Sequence, residues 1–289
     1  MAPLVVIVGE TASGKSELAL ELAEKFNGEI ICADSWTVRR EVNIGTAKPT
    51  AQDLKRVRHH LLDVVDPCAD FTAAVFKGLA LKAIDDISKR GKLPILVGGT
   101  GLYIDGVIYN FNFLPSGDRK AREKLDVMSV SNLVQLAHKM GLDTKEIDIK
   151  NKRRIIRLIE TKGAQPKRQE LRPNTLILGL TIPREGLKRR IIERTDSMLE
   201  RGLEDEVRNL SEKYGWECEA LKGIGYSQWR EYFENHKTLE ETRQKIINDT
   251  ANLAKRQRTW FKRNKSIHYL NYPSEAVEIL TTFLNKSMI

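Results

Sequence analysis

The chain has 289 residues, 41% of them apolar and 30% charged, with a formal net charge of +9. That composition excludes a disordered polyelectrolyte and leaves room for one large domain or two smaller ones. No window approaches the roughly 18 apolar residues of a membrane span, and Met1-Ala2-Pro3 leads straight into strand-like sequence, so neither a span nor a signal peptide is expected. Cys32, Cys68 and Cys218 are scattered and show no metal spacing, which suits a reducing, cytoplasmic setting. The histidines show no ligand spacing either.

The basic surplus is concentrated. Residues 150–172 hold nine Lys or Arg against two Glu, and residues 255–265 hold six with no acid, interrupted by Trp260 and Phe261. Basic runs with aromatics suit a polyanion that also offers flat bases, so a nucleic-acid partner is expected.

In chain order, Leu4-Val5-Val6-Ile7-Val8 reads as a strand buried on both faces. It runs into Gly9-Glu10-Thr11-Ala12-Ser13-Gly14-Lys15-Ser16, which fits the G-x-x-x-x-G-K-[ST] phosphate loop. Its glycines let backbone N–H groups cradle phosphates at the positive end of the next helix. Lys15 reaches the phosphates, and the Ser16 hydroxyl can ligate magnesium. Leu18, Ala19, Leu22, Ala23 and Phe26 then make the apolar stripe of that helix, which Asn27-Gly28 stops. Residues 29–33 form the second strand, with Asp34 at its carboxyl end. Ligands of open α/β sheets bind at this rim, so Asp34 shares it with the phosphate loop. A helix is expected over 71–90, with Phe71, Val75, Leu79, Ala83, Ile84 and Ile87 on its apolar face. The next strand, residues 93–97, ends in Gly98-Gly99-Thr100-Gly101. It lacks the Asp that phosphate-loop hydrolases place there for magnesium, so a nucleotide-hydrolysing motor is disfavoured. A kinase or a group transferase handling a phosphate ester fits better.

From residue 113 to 172 strand signals vanish and helical stretches appear at 118–127, 130–140 and 151–161. The predicted organisation is an α/β core over 1–112 and 173–289 with a helical insertion over 113–172. The fold class is a phosphate-loop parallel sheet flanked by helices. After a strand at 176–180, Pro183 opens a long helix on which Arg190 and Arg194 share a face. A further helix follows Gly202, another spans 238–262, and residues 267–270 add a short strand.

These segments together resemble the tRNA dimethylallyltransferase family. The likeness runs through GETASGKS, ADS, NIGTAKP, HHLLDVVDP, LPILVGGTGLY, RRIIRLIE, LKRRIIERTDSMLERGLEDEVRNL, KGIGYSQ and AKRQRTWFKR. The resemblance implies transfer of the dimethylallyl group of dimethylallyl diphosphate to the exocyclic amine of the adenosine just 3′ of the anticodon, in tRNAs reading codons that begin with U. The phosphate loop, Gly9 to Ser16, would hold the isoprenoid diphosphate, with Ser16 acting through Mg2+. Asp34 would be the general base, Arg194 would stabilise the leaving group, and Thr100 would line the channel where a flipped adenine meets the isoprenoid. Contacts to tRNA would come from Asp34, Ser35, Trp36, Thr37 and Thr100. Arg122, Arg153, Arg154, Ile155, Ile156 and Arg157 would join them from the insertion. Lys222, Gly223, Ile224, Gly225, Tyr226 and Ser227 would add a loop. Lys255, Arg256, Gln257, Arg258, Thr259, Trp260, Phe261 and Lys262 would add the last helix.

The chain departs from the family pattern at Arg39, Glu41 and Asn43, where Tyr, Gly and Asp are common, and its insertion is short. With no zinc finger following, a bacterial-type monomer is expected. The competing readings are an adenylate isopentenyltransferase acting on free AMP, ADP or ATP, a small-molecule kinase with ATP in the loop, and a non-catalytic RNA-binding protein.

Overall fold

The computed structural model describes residues 1–115, 117–145 and 147–287. Its strands are β1 (Leu4–Gly9), β2 (Gly28–Cys32), β3 (His59–His60), β4 (Leu93–Gly98), β5 (Thr175–Leu180) and β6 (Ile267–Tyr269). They form one sheet in the order β3-β2-β4-β1-β5-β6, every pairing parallel. β1 lies between β4 and β5, with Val5 opposite Ile95 and Leu176. All six residues of β1 and of β4 are buried, which is why both read as continuous apolar runs.

Between the strands run α1 (Lys15–Lys25), α2 (Ala51–Arg56), α3 (Ala73–Lys89) and α4 (Gly101–Ile108). One face of the sheet packs Val5, Ile7, Ile95, Val97 and Leu178 against Leu18, Leu22 and Ala23 of α1. The stripe of α3 is Phe76, Ala80, Ile84 and Ile87. The expected Val75 is 49% exposed instead. The Thr72 side chain accepts from Val75 N–H and starts the helix at Ala73, so the buried face runs from Phe76.

The chain divides into two compact units, Met1–Ile108 with Leu171–Ile289, and Tyr109–Glu170. The division expected at 113 and 172 falls at 109 and 170. Gln169 N–H donates to the Tyr109 carbonyl, and Asn112 bridges Lys167, so the smaller unit closes at its own base. It holds α5 (Arg119–Asp126), α6 (Val130–Lys139) and α7 (Lys152–Glu160), capped by Asp118, Ser129 and Asn151. Leu125, Leu133, Ala137, Ile155 and Ile156 make its core.

The larger unit continues through α8 (Arg184–Glu200), α9 (Leu203–Tyr214), α10 (Arg230–Phe233), α11 (Leu239–Phe261) and α12 (Glu275–Ser287). α8 packs on α11, and α11 reaches β1. A second core joins Met198, Val207, Leu210, Tyr226, Trp229 and Ile246. Cys68 and Cys218, 150 residues apart, are disulfide-bonded, and Cys32 is free. The scattered spacing of the cysteines, read as suiting a reducing setting, did not anticipate this bond. Folding creates the pairing by docking Ala220 N–H on the Pro67 carbonyl next to the bond.

Candidate active site

The phosphate loop leaves β1 and enters α1 through two left-handed residues, Ala12 (φ 62°) and Gly14 (φ 90°). Gly14 meets that requirement without strain. Ser13 N–H and the Lys15 ammonium both donate to the Glu10 carbonyl, at 3.2 Å each. Burial, reinforced by the Arg194 guanidinium and opposed by Asp34 and Glu10, lowers the Lys15 pKa from 10.5 to about 8. Burial thus makes the Lys15 ammonium costly to hold. Burial also lowers the pKa of Arg194, and the Asp34 carboxylate partly offsets this.

Asp34 follows β2. Its Oδ1 accepts from Trp36 N–H at 2.8 Å and Thr37 N–H at 3.3 Å, a local turn that fixes the carboxylate. Thr100 follows β4. Its N–H donates to the Ala33 carbonyl, and its Oγ1 accepts from Ser35 N–H at 3.1 Å. The hydroxyl proton of Thr100 remains available to donate. Because β2 and β4 are parallel neighbours, their carboxyl ends bring Asp34 and Thr100 together.

Lys15, Ser16, Asp34 and Arg194 line one cavity of about 270 Å³. Its apolar wall includes Leu20, Ile191, Met198, Ile224, Ile246 and Leu253. The free thiol of Cys32 also lines it, and burial followed by the Asp34 charge pushes that thiol's pKa up to about 12. It is therefore an inert wall group rather than a nucleophile. The site offers cations for a charged head, an apolar wall for a small apolar group and a carboxylate as proton acceptor.

Other residues of the expected site take different places. The Glu10 carboxylate is 1% exposed, paired with Arg258, and accepts from Ile182 N–H, so it is committed away from any phosphate. Thr11 N–H donates to Gln257 Oε1 at 2.8 Å, and Gln257 Nε2 donates to the Gly99 carbonyl at 3.1 Å. Gln257 thereby clamps the phosphate loop to the glycine turn after β4. Phe261 is buried, and Trp260 Nε1 donates to Asp105 at 2.9 Å with its indole over Gly101. The exposed members of this segment are Lys255, Arg256, Thr259 and Lys262. Trp36 is half-buried and lies on Gly223, and Thr37 and Tyr226 are buried. Lys222 and Ser227 are exposed.

In the smaller unit, Ile155 and Ile156 are core residues. Arg122 pairs with Glu160, and Arg157 donates to the Leu114 and Pro115 carbonyls as well as to Glu160. Arg153 and Arg154 are exposed.

The three departures have structural partners. Arg39 is buried and donates to the Pro67 and Ala69 carbonyls at 2.9 and 2.7 Å. Glu41 stands at φ 65°, a conformation that favours glycine, and is held by Lys213 at 2.9 Å and Tyr214 at 2.7 Å. Asn43 accepts from the Lys48 ammonium at 3.1 Å.

The IPP transferase family profile matches residues 37–264. The chain belongs to the tRNA dimethylallyltransferase family. It is 41% identical to tRNA dimethylallyltransferase 1 of Citrifermentans bemidjiense, over 96% of this chain and 94% of that one. It is 40% identical to the tRNA dimethylallyltransferase of Acetivibrio thermocellus, over 94% and 92%. Among solved structures it resembles the tRNA isopentenylpyrophosphate transferase of Bacillus halodurans, with a TM-score of 0.76 and 36% identity, covering 99% of this chain and 97% of that one. A eukaryotic dimethylallyltransferase acting on tRNA gives a TM-score of 0.82 at 27% identity, over 99% and 80%. No described helix is long and apolar enough to cross a membrane.

Proposed function

We propose that the cavity transfers the dimethylallyl group of dimethylallyl diphosphate to the N6 amine of the adenosine 3′-adjacent to the anticodon, in tRNAs reading codons that begin with U. The observation that carries this reading is that Asp34 lines the same cavity as Lys15, Ser16 and Arg194; Thr100, which does not line it, is held nearby through the Ser35 N–H. The amine nitrogen attacks the carbon that bears the diphosphate. The new C–N bond forms as the C–O bond breaks, and the electron pair leaves with the diphosphate. Lys15 and Arg194 stabilise the charge gathering on the leaving oxygen. The amine's proton passes to the Asp34 carboxylate, and the Thr100 hydroxyl orients the base.

Mg2+ fits this donor set. Among the described residues no cluster of three His, Cys, Asp or Glu offers an all-protein metal cage. Ser16, which lines the cavity beside Lys15, suits an ion held chiefly by substrate phosphates and water. When bound, the ion would supply further charge neutralisation to the diphosphate. The exposed Lys255, Arg256, Lys262, Arg153 and Arg154 serve as phosphate contacts to tRNA, and Trp36 and Ile224 border the adenine's way in. We take the protein to act as a monomer in the cytoplasm beside its tRNA.

The test is incubation of the protein with labelled dimethylallyl diphosphate and either unmodified tRNA or AMP. Label in tRNA supports the reading. Label in AMP alone supports the adenylate isopentenyltransferase alternative, and label in neither overturns both.

A further inference from the structure

Glu206 lies in the first turn of α9, and its carboxylate meets three consecutive backbone donors. Oε2 accepts from Asn43 N–H at 3.0 Å and Ile44 N–H at 2.8 Å. Oε1 accepts from Gly45 N–H at 3.1 Å and from the Tyr226 hydroxyl at 2.6 Å. Successive N–H groups that converge in this way form a nest, a concavity that selects an anion. Here the protein's own side chain fills it. Tyr226 is fully buried, and its ring lies so close to Gly45 that a Cβ there would sit 2.6 Å from it. Burial and the Glu206 charge raise the pKa of that hydroxyl, so it stays a donor across the working pH range.

What the nest fixes is the loop that walls the cavity. Residues 45–49 all line it, whereas Glu206 does not. The loop is closed on itself by Ala47 N–H to the Ile44 carbonyl, by Lys48 N–H to the Asn43 carbonyl and by the Thr46 hydroxyl to the Val42 carbonyl. At its inner end the Thr46 carbonyl accepts from Arg194 Nη2 at 3.5 Å. Glu206 and Arg194 thus hold the same turn, the first through the Asn43, Ile44 and Gly45 N–H groups and the second through the Thr46 carbonyl.

We propose that Glu206 is a positioning residue of the transfer reaction: by anchoring the 43–49 turn it sets the Thr46 carbonyl that aims Arg194 at the diphosphate. The proposal rests on the transferase reading above. It assigns Glu206 no contact with either substrate, so its effect must pass through Arg194.

Glu206→Gln keeps the volume but removes the charge and one of two acceptor oxygens from a nest of donors. The KM for dimethylallyl diphosphate should rise about tenfold, the scale of one charge-assisted hydrogen bond, with tRNA affinity measured without isoprenoid unchanged. In an Arg194→Ala background the same change should add nothing further to that KM. Tyr226→Phe, which removes one donor and leaves the fold's packing in place, should act in the same direction with a smaller rise and the same loss of effect in the Arg194→Ala background. A Glu206 role confined to packing would lower the thermal midpoint and leave the KM alone, or shift it equally in both backgrounds; either result overturns the proposal. If Glu206→Gln does not fold, the Tyr226→Phe cycle decides by the same criterion. A parent protein that labels no tRNA would overturn the transferase reading, whereas an active parent with additive variants overturns only the role of Glu206.

Discussion

On the proposed function, Lys15→Met trades ligand binding for stability of the free protein. Its pKa falls from 10.5 to about 8, chiefly by burial and then by Arg194. At about 1.4 kcal/mol per unit, keeping the proton at neutral pH costs the free protein roughly 3 kcal/mol. Methionine fills similar space without that charge. The thermal midpoint of the free protein should therefore rise, by about 2 °C for each kcal/mol recovered in a chain of this size. Binding should move the other way, with the KM for dimethylallyl diphosphate rising about 10- to 100-fold through loss of one charge-assisted contact. The sign of the pH dependence follows. Between pH 8 and the unfolded pKa near 10.4 the unfolded chain binds more protons, so this lysine's penalty on stability fades as pH rises through that window. Affinity for the diphosphate falls over the same range, since a neutral amine must first regain its proton. Scanning calorimetry of both proteins at pH 7 and 9.5, with KM measured across that range, checks each part. An unchanged midpoint together with a KM flat from pH 7 to 9.5 in the parent would refute the assignment of Lys15 as a buried ammonium poised for phosphate.

Arg194→Ala should raise the KM for dimethylallyl diphosphate and lower turnover as well, by an amount worth about 1.5–3 kcal/mol; normal kinetics at limiting isoprenoid would remove it from the site. Neutralising Lys255, Arg256 and Lys262, all exposed on or just after α11, should flatten the slope of log tRNA affinity against log salt by about 2 to 3, and an unchanged slope would make them a solvated face. Arg258 belongs to a different test, because it pairs with buried Glu10. Arg258→Ala should cost about 3–5 kcal/mol in denaturant unfolding by stranding that carboxylate, and Glu10→Gln with Arg258→Ala should recover part of the loss.

The sheet and its rim were legible because the residues that build them are local. β1 and β4 are unbroken apolar runs, and GETASGKS follows the first of them directly. Asp34 and Thr100 could be placed on one edge because parallel strands put their carboxyl ends together. Within AKRQRTWFKR the basic composition obscured a periodicity. Ala254, Gln257 and Phe261 continue the buried stripe of Ile246 and Ile247, so Gln257 faces the phosphate loop while Lys255 and Arg256 face solvent. α12, whose Ala276 and Leu280 pack under the sheet, was not read from the sequence at all. Other features had no local signal. The Cys68–Cys218 bond and the Glu206 nest each join segments about 150 residues apart or more. β3 is only two residues long and exists because β2 offers it an edge.

The central claim is that Asp34 takes the proton of the attacking amine. Asp34→Asn keeps the shape and one acceptor oxygen for the Trp36 and Thr37 N–H groups, but it cannot take up a proton at neutral pH. Single-turnover transfer of labelled dimethylallyl to tRNA, at saturating levels of both substrates and with the thermal midpoint measured alongside, tests this directly. The account predicts a rate about 100- to 10,000-fold below the parent, with little change in the KM for dimethylallyl diphosphate. A folded Asp34→Asn protein that binds both substrates and transfers the group at close to the parent rate would contradict it.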